Sequence, residues 1–265
     1  MSGLSDTVIS ASGLNAYTSA IDVIGNNLAN LGTTGFKSGR TLFSNVLSSA
    51  VGVPSLQQNP SGVNVQAIQT QFTEGPLQNT NNPLDFAING NGFFIVKDPS
   101  RNNDTFYTRD GEFSLDKTGT LINASGQIVQ GSGGNIIIPP DATGAMPTSL
   151  QLSPNGQLNA TYPSGQVKTV AQFELAVFNA PTQLANAGKN LYSQTDGSGA
   201  PKLLTPSLGG AGTVASNTLE ESNVNESDEF GNLISIQNAF QSNATVLSAT
   251  NEMFTDMFTL LGTGS

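Results

Sequence analysis

The sequence predicts an α+β protein, with long N- and C-terminal helices pairing as a coiled coil and a central, mostly antiparallel β domain. Three observations support this. Apolar residues recur at alternating spacings of three and four near the N-terminus. They recur every seven residues near the C-terminus. Turn dipeptides crowd the stretch between.

At the N-terminus, Leu14, Tyr17, Ile21, Ile24, Leu28 and Leu31 form one seam. It fits a helix of about 18 residues, about 27 Å long. Leu4, Val8, Ile9 and Ala11 continue the tendency upstream with less regularity, and Gly32 and Gly35 stand as terminators. Residues 1–35 therefore read as an N-terminal helix. Residues 36–71 read as an extended connector, because Thr41–Gln71 is polar and contains Pro54 and Pro60. A neighbour is expected to order it.

The β domain is expected over residues 72–204. Asp85–Ile88, Gly92–Val96, Glu112–Leu115, Thr120–Ile122, Gln127–Val129 and Asn135–Ile138 alternate or are β-branched. Asn89-Gly90, Asp110-Gly111, Thr118-Gly119, Ser125-Gly126, Asn155-Gly156 and Ser164-Gly165 punctuate them as hairpin signals. The long apolar run Gln166–Phe178 reads as a central strand. Residues 205–227, rich in Gly, Ala and Ser, read as a second connector.

From about Asp228 to Leu261 the heptad returns. Leu233, Phe240, Leu247, Phe254 and Leu261 alternate with Ile236, Asn243, Thr250 and Met257, while Ala239, Val246, Met253 and Leu260 form a third column. Glu226, Asp228 and Glu229 sit at the positive end of this helix, which spans residues 228–265 in this reading. Gly231 opposes it, since glycine inside a helix costs roughly 0.5–1 kcal/mol relative to alanine. A lone helix of this length is marginal in water. Each stripe therefore needs a partner, which is either the other stripe or the β domain.

Composition narrows the chemistry. The chain has 265 residues with no His, no Cys and no Trp, so zinc sites of the ordinary kind, thiol nucleophiles and Ser-His-Asp triads are excluded. Gly131-Ser132-Gly133-Gly134 lacks the Lys of a phosphate loop, and Asp196-Gly197-Ser198-Gly199 lacks the bidentate Glu of a calcium loop. Asp110 and Glu112 fall at a turn signal. The expectation is a non-enzyme without cofactor or metal. A net charge of −10 argues against nucleic acid. That charge is uneven: residues 1–71 balance to zero, whereas residues 203–265 carry acids and no base. Charged residues make up 11%, against about 25% in ordinary domains. The surface is thus neutral and hydrogen-bonding, suited to contact with copies of itself. No apolar run is long enough to span a bilayer. Met1–Ala11 carries no Lys or Arg and no continuous apolar run, so it does not read as a cleavable secretory signal.

Specific motifs add to this. Asp22-Val23-Ile24-Gly25-Asn26-Asn27-Leu28-Ala29-Asn30, followed by Thr34-Gly35-Phe36-Lys37, resembles the N-terminal signature of bacterial flagellar axial proteins of the rod and hook. Phe72–Thr80, Gly92-Phe93-Phe94 and Thr108-Arg109-Asp110-Gly111-Glu112-Phe113 resemble the start of their β domain. Leu219-Glu220-Glu221-Ser222-Asn223-Val224-Asn225 and Gln237–Asn243 resemble their closing motif. The resemblance runs collinearly along nearly the whole chain. Its layout from Gly119 to Asn225 and its short length are most similar to the distal rod subunit; Gly25 and Phe36-Lys37-Ser38-Gly39 lean towards a short hook protein.

The resemblance implies a homo-polymer, a hollow helical tube that transmits torque and lets exported subunits pass. The terminal helices would line it and the β domain would clad it. It further implies partners among other rod and hook proteins and the flagellar export apparatus. The location would be the flagellar basal body, from periplasm to exterior, reached without a cleaved signal peptide. The residues expected to carry assembly are Leu14, Tyr17, Ile21, Ile24 and Leu28 facing Leu233, Ile236, Phe240, Leu247 and Phe254, with Met257 and Leu261 as further seam residues. Asn26, Asn27, Asn30, Gly35 and Phe36 are the family-motif positions, and the asparagines are expected to satisfy backbone or neighbouring-subunit groups. A secreted β-domain adhesin is the rival reading, disfavoured by the scarcity of aromatic residues for a binding groove.

Overall fold

The computed structural model describes residues 2–47, 60–141 and 144–262. They fall into two compact units. The first comprises residues 1–29, 39–71 and 224–265; the second comprises residues 30–38 and 72–223.

The first unit holds both helices. Helix α1 (Ser2–Ala29) begins well before the regular seam. Helix α2 (Glu226–Gly262) is continuous through Gly231. It starts two residues before Asp228 because Asn225 caps it: the Asn225 Oδ1 accepts the amides of Ser227 at 3.0 Å and Asp228 at 3.3 Å. In α2 the hydroxyls of Thr245, Thr250, Thr255 and Thr259 donate to carbonyls four residues back, so these polar groups are satisfied within the helix itself. The two helices pack on each other.

The stretch expected as an extended connector contains strands β1 (Gly39–Leu47) and β2 (Pro60–Thr70), paired antiparallel from Gly39↔Thr70 to Leu47↔Pro60. Pro54 lies outside the described residues. The pair packs on α1, with the Tyr17 and Phe43 rings edge-on at 6.2 Å. Alternation such as Val63, Val65, Ala67 supports β2, but flanking polar residues concealed it in the sequence.

Apart from one 3-10 turn at Pro181–Gln183, the regular structure of the second unit is β, its pairs antiparallel. Its strands are β3 (Leu77–Asn79), β4 (Phe86–Asn89), β5 (Phe93–Asp98), β6 (Asp104–Thr108), β7 (Phe113–Leu115), β8 (Leu121–Asn123), β9 (Ile128–Gly131) and β10 (Gly134–Asn135). They continue as β11 (Ser149–Leu152), β12 (Gln157–Thr161), β13 (Val167–Gln172), β14 (Leu175–Val177), β15 (Ala185–Gly188), β16 (Leu191–Ser193), β17 (Lys202–Leu204), β18 (Thr213–Ser216) and β19 (Thr218–Glu220). A ten-stranded sheet runs β15-β16-β6-β5-β9-β8-β7 and is joined by β10, β14 and β17. A three-stranded sheet has the order β11-β12-β13, while β18 pairs β4 and β19 pairs β3. The core is built on Phe86, Ile88, Phe94, Val96, Leu121 and Phe173, with a second cluster around Phe93, Tyr107, Phe178 and Tyr192.

Several expectations need correction. Thr118-Gly119, Ser125-Gly126, Asn155-Gly156 and Ser164-Gly165 do turn hairpins, joining strands that pair. Asn89-Gly90 and Asp110-Gly111 do not. The strands they join pair elsewhere, β4 with β18 and β6 with β5 and β16. Gly111 serves close approach instead: its carbonyl accepts the Phe86 amide at 3.0 Å, and a Cβ there would run into the Phe86 carbonyl. Gln166–Phe178 is not one central strand. It breaks at Phe173-Glu174 into β13, at the edge of the small sheet, and β14, because Phe173 turns wholly into the core. Residues 205–227 are not merely a connector, since β18 and β19 lie there with Val214, Thr218 and Glu220 buried.

Candidate functional site

In the first unit, α1 buries a stripe of mainly small residues: Ser10, Gly13, Ala16, Ala20, Val23, Ile24 and Asn27. Of the five large seam residues, Ile24 is buried, whereas Leu14, Tyr17, Ile21 and Leu28 are half-buried beside that stripe. On α2, Leu233, Ile236, Phe240, Leu247 and Phe254 are half-buried together with Asn243 and Thr250. Gly13 faces Asn243, and a Cβ on Gly13 would lie 2.5 Å from the Asn243 Nδ2. The helices therefore touch closely where one has no side chain and the other a polar one. The Leu261 side chain lies outside the described residues.

Much apolar surface in this unit remains open. Phe230, Ile234, Val246 and Met253 are exposed along α2, Met253 to 72%, as are Met257, Val8, Phe43, Val46 and Ile68. A groove of about 300 Å³ runs between α1 and the β1–β2 pair, lined by Ser12, Asn15, Ala16, Ser19, Val46 and Val63 among others.

Asn27 is 1% exposed and ties three elements of this unit together. Its Oδ1 accepts the Gly39 amide at 2.9 Å. Its Nδ2 donates to the Gly39 carbonyl at 2.8 Å and to Glu229 Oε1 at 2.9 Å. One amide side chain thus joins the end of α1, the start of β1 and the first turn of α2. Asn26 is exposed on the same helix.

The other motif residues lie in the second unit. Asn30 Oδ1 accepts the Thr33 hydroxyl at 3.1 Å. Gly35 takes φ +65°, a conformation open to glycine, and its amide donates to the Glu220 carbonyl at 2.7 Å. The Phe36 carbonyl accepts the Asn223 amide at 3.4 Å. Beside them lies a buried ion cluster that reading the sequence missed. Lys37 Nζ is 2.5 Å from Glu220 Oε1 and 2.8 Å from the Thr73 carbonyl. Arg109 Nη1 is 3.3 Å from Glu220 Oε2, and its Nη2 donates to the Gly90 carbonyl at 2.7 Å. Its guanidinium sits over the Phe93 ring. The Gly75 amide completes the shell of Glu220 Oε1 at 2.9 Å. Burial pushes the Lys37 ammonium pKa down and the Tyr192 phenol pKa up. Both motifs, Thr34–Lys37 and Leu219–Asn225, carry half of this pair; nothing local links residues 183 positions apart.

Comparison with known proteins decides what such an arrangement belongs to. Residues 9–37 match the family described as flagella basal body rod protein, residues 87–160 the flagellar hook protein FlgE/F/G D1 domain, and residues 215–260 the flagellar basal body rod FlgEFG protein C-terminal. The flagellar basal-body rod protein FlgG of Bacillus subtilis is 32% identical over 261 residues, covering 94% of this chain and 96% of that protein. FlgG of Caulobacter vibrioides is 34% identical over 256 residues, covering 92% and 94%. This chain belongs to the flagellar rod protein family. Rod proteins of this family are structural components of the flagellum. The flagellar hook protein FlgE of Escherichia coli is 41% identical, but over 142 residues that make up 53% of this chain and 33% of the hook protein. The segment 87–160 lies within the second unit, whereas 9–37 and 215–260 each take in residues of both units. The N- and C-terminal families contain Asn27 and most of α2, and the hook-type domain contains Arg109. Among the described residues of this rod protein, no helix is long and apolar enough to cross a membrane.

Proposed function

We propose that the chain is a subunit of the distal flagellar rod that assembles with copies of itself into a hollow helical tube, transmitting torque and letting exported subunits pass. α1 and α2 pair there as a coiled coil, Leu14, Tyr17, Ile21, Ile24 and Leu28 facing Leu233, Ile236, Phe240, Leu247 and Phe254, and Met257 and Leu261 carry the assembly seam further along α2. The β unit clads the outside. Export proceeds through the flagellar apparatus without a cleaved signal peptide, other rod and hook proteins flank the polymer, and the chain has no catalytic activity.

The observation that supports this most is the open apolar surface of the first unit. Phe230, Ile234, Val246, Met253 and Met257 stand exposed on one helix of a single chain. Each large apolar side chain buried between copies contributes roughly 1.5–3 kcal/mol. The test is to concentrate the purified chain and image it by electron microscopy. Tubes are expected, and a protein that remains monomeric at high concentration under all assembly conditions contradicts the reading. The short hook protein remains the second reading, favoured by the 41% identity of the hook relative over the shared stretch. A curved, bendable tube would select it over a straight rod.

A further inference from the structure

The second unit is assembled from two separate pieces of chain, residues 30–38 and 72–223, and one cluster of side chains sews the pieces together. Lys37 Nζ bridges Glu220 Oε1 and the Thr73 carbonyl. Asn223 Oδ1 accepts the Ser38 amide at 2.7 Å, while its Nδ2 donates to the Thr73 carbonyl at 3.1 Å and the Thr73 hydroxyl at 2.8 Å. The Gly35 amide meets the Glu220 carbonyl and the Gly75 amide meets the Glu220 carboxylate. Segments next to three of the four points at which the chain passes from one unit to the other, ending at Ser38, starting at Phe72 and ending at Asn223, are therefore fastened at one knot.

We propose that this knot is a latch: a cooperative element that opens and closes as one piece, releasing residues 30–38, 73–75 and 218–223, and with them the short β3–β19 pair, while the ten-stranded and three-stranded sheets stay folded. Apart from the short β3–β19 pairing, it rests on polar and ionic contacts of side chains. Phe72, just before it, packs on the Phe93 and Tyr192 rings, but among the described residues neither apolar cluster draws a side chain from 30–38, 73–75 or 218–223. Burial of the two cations and one carboxylate removes solvation that their attraction only partly restores. The Arg109 Nε is buried without a hydrogen-bond partner, and burial disfavours the Lys37 charge. The least stable cooperative piece of a fold opens first, and here that piece gives no side chain to either apolar cluster. Its members share acceptors, Glu220 Oε1 serving Lys37 and Gly75, and the Thr73 carbonyl serving Lys37 and Asn223. Loss of one contact thus loosens the rest.

Amide hydrogen exchange on the full chain, residue by residue in a urea series, tests the latch. In the unaltered protein the amides of Gly35, Ser38, Gly75 and Glu221 are expected to share one opening equilibrium, at least tenfold more favourable than that of Leu121 in β8 and of Ile136, which follows β10 and donates to the Val129 carbonyl of β9. In Asn223→Ala, exchange at Gly35 and Gly75 is expected to accelerate tenfold or more although Asn223 bonds to neither, with Leu121 and Ile136 unchanged. Four unrelated rates in the unaltered protein, a common rate equal to that of the sheet, or acceleration confined to Ser38 in the variant would overturn the proposal. The urea series needs no substitution and stands if the variant fails to fold.

Discussion

Lys37 and Glu220 are wholly buried and 2.5 Å apart, yet Glu220 answers two cations, because Arg109 also reaches it at 3.3 Å. The cluster is asymmetric, and so are the expected effects of breaking it. Glu220→Leu leaves Lys37 and Arg109 buried without an anion and should cost the β unit about 3–5 kcal/mol, the usual range for stripping one partner from a buried pair. Lys37→Met leaves Glu220 paired with Arg109 and should cost clearly less. Urea unfolding followed by near-ultraviolet circular dichroism of the tyrosines measures both. Equal losses would show that Arg109 does not share the carboxylate.

Asn27 gives the sharpest expectation in the first unit. Asn27→Ala strands the Gly39 amide and carbonyl, and each buried group left unpaired costs about 1–3 kcal/mol. Asn27→Asp keeps the acceptor but sets a second carboxylate beside Glu229, so it should be more damaging at neutral pH than at pH 4. A thermal melt that leaves both variants within error of the unaltered protein would remove Asn27 from the account.

Asp110 carries a pH dependence with a definite sign. Burial raises its carboxyl pKa above the ordinary 3.8, ahead of the lowering effect of its bonds from the Glu112 amide and Thr34 hydroxyl. The folded state therefore binds the proton more tightly than the unfolded one. Its stability contribution improves as pH falls through the folded pKa towards 3.8 and is unfavourable above that window. Asp110→Asn, which keeps an oxygen acceptor, should raise the melting temperature at pH 7, and the gain should vanish near pH 3.5. A gain that persists unchanged at pH 3.5 would exclude Asp110 as its source.

How much of this was legible in the sequence depended on whether the signal was local. The α2 stripe was visible because Leu233, Ile236, Phe240, Leu247 and Phe254 repeat within one helix and are half-buried together. In α1 the large residues drew the eye, whereas the most buried positions are small ones such as Gly13, Ala16 and Ala20, whose value lies in close approach rather than hydrophobicity. Four turn dipeptides marked hairpins, while Asp110-Gly111 marked a glycine needed by the distant Phe86 carbonyl. β19 and the ion cluster were hidden for the same reason: Leu77↔Glu220 and Lys37–Glu220 are pairings across most of the chain. Asn27 stood out as a motif, but its three bonds to Gly39 and Glu229 have no local signature.

Leu247→Asp tests the proposed seam. A carboxylate at this half-buried position of α2 should abolish polymer formation while the β unit still folds, judged by far-ultraviolet circular dichroism and by retained protection of Leu121 and Ile136. Normal tubes from this variant would take the seam out of assembly.

Methionine footprinting reaches the central claim most directly. Met253 and Met257 lie exposed on α2 of the first unit, at 72% and 45%, and Met146 is comparably exposed in the second unit at 46%. Brief peroxide treatment of free chains and of assembled tubes, read by mass spectrometry of the sulfoxides, compares them within one molecule. Assembly through the first unit predicts that Met253 and Met257 oxidise at least tenfold more slowly in the tube while Met146 keeps its rate. Equal oxidation of Met253 in both forms, or protection of Met146 alone, would contradict it.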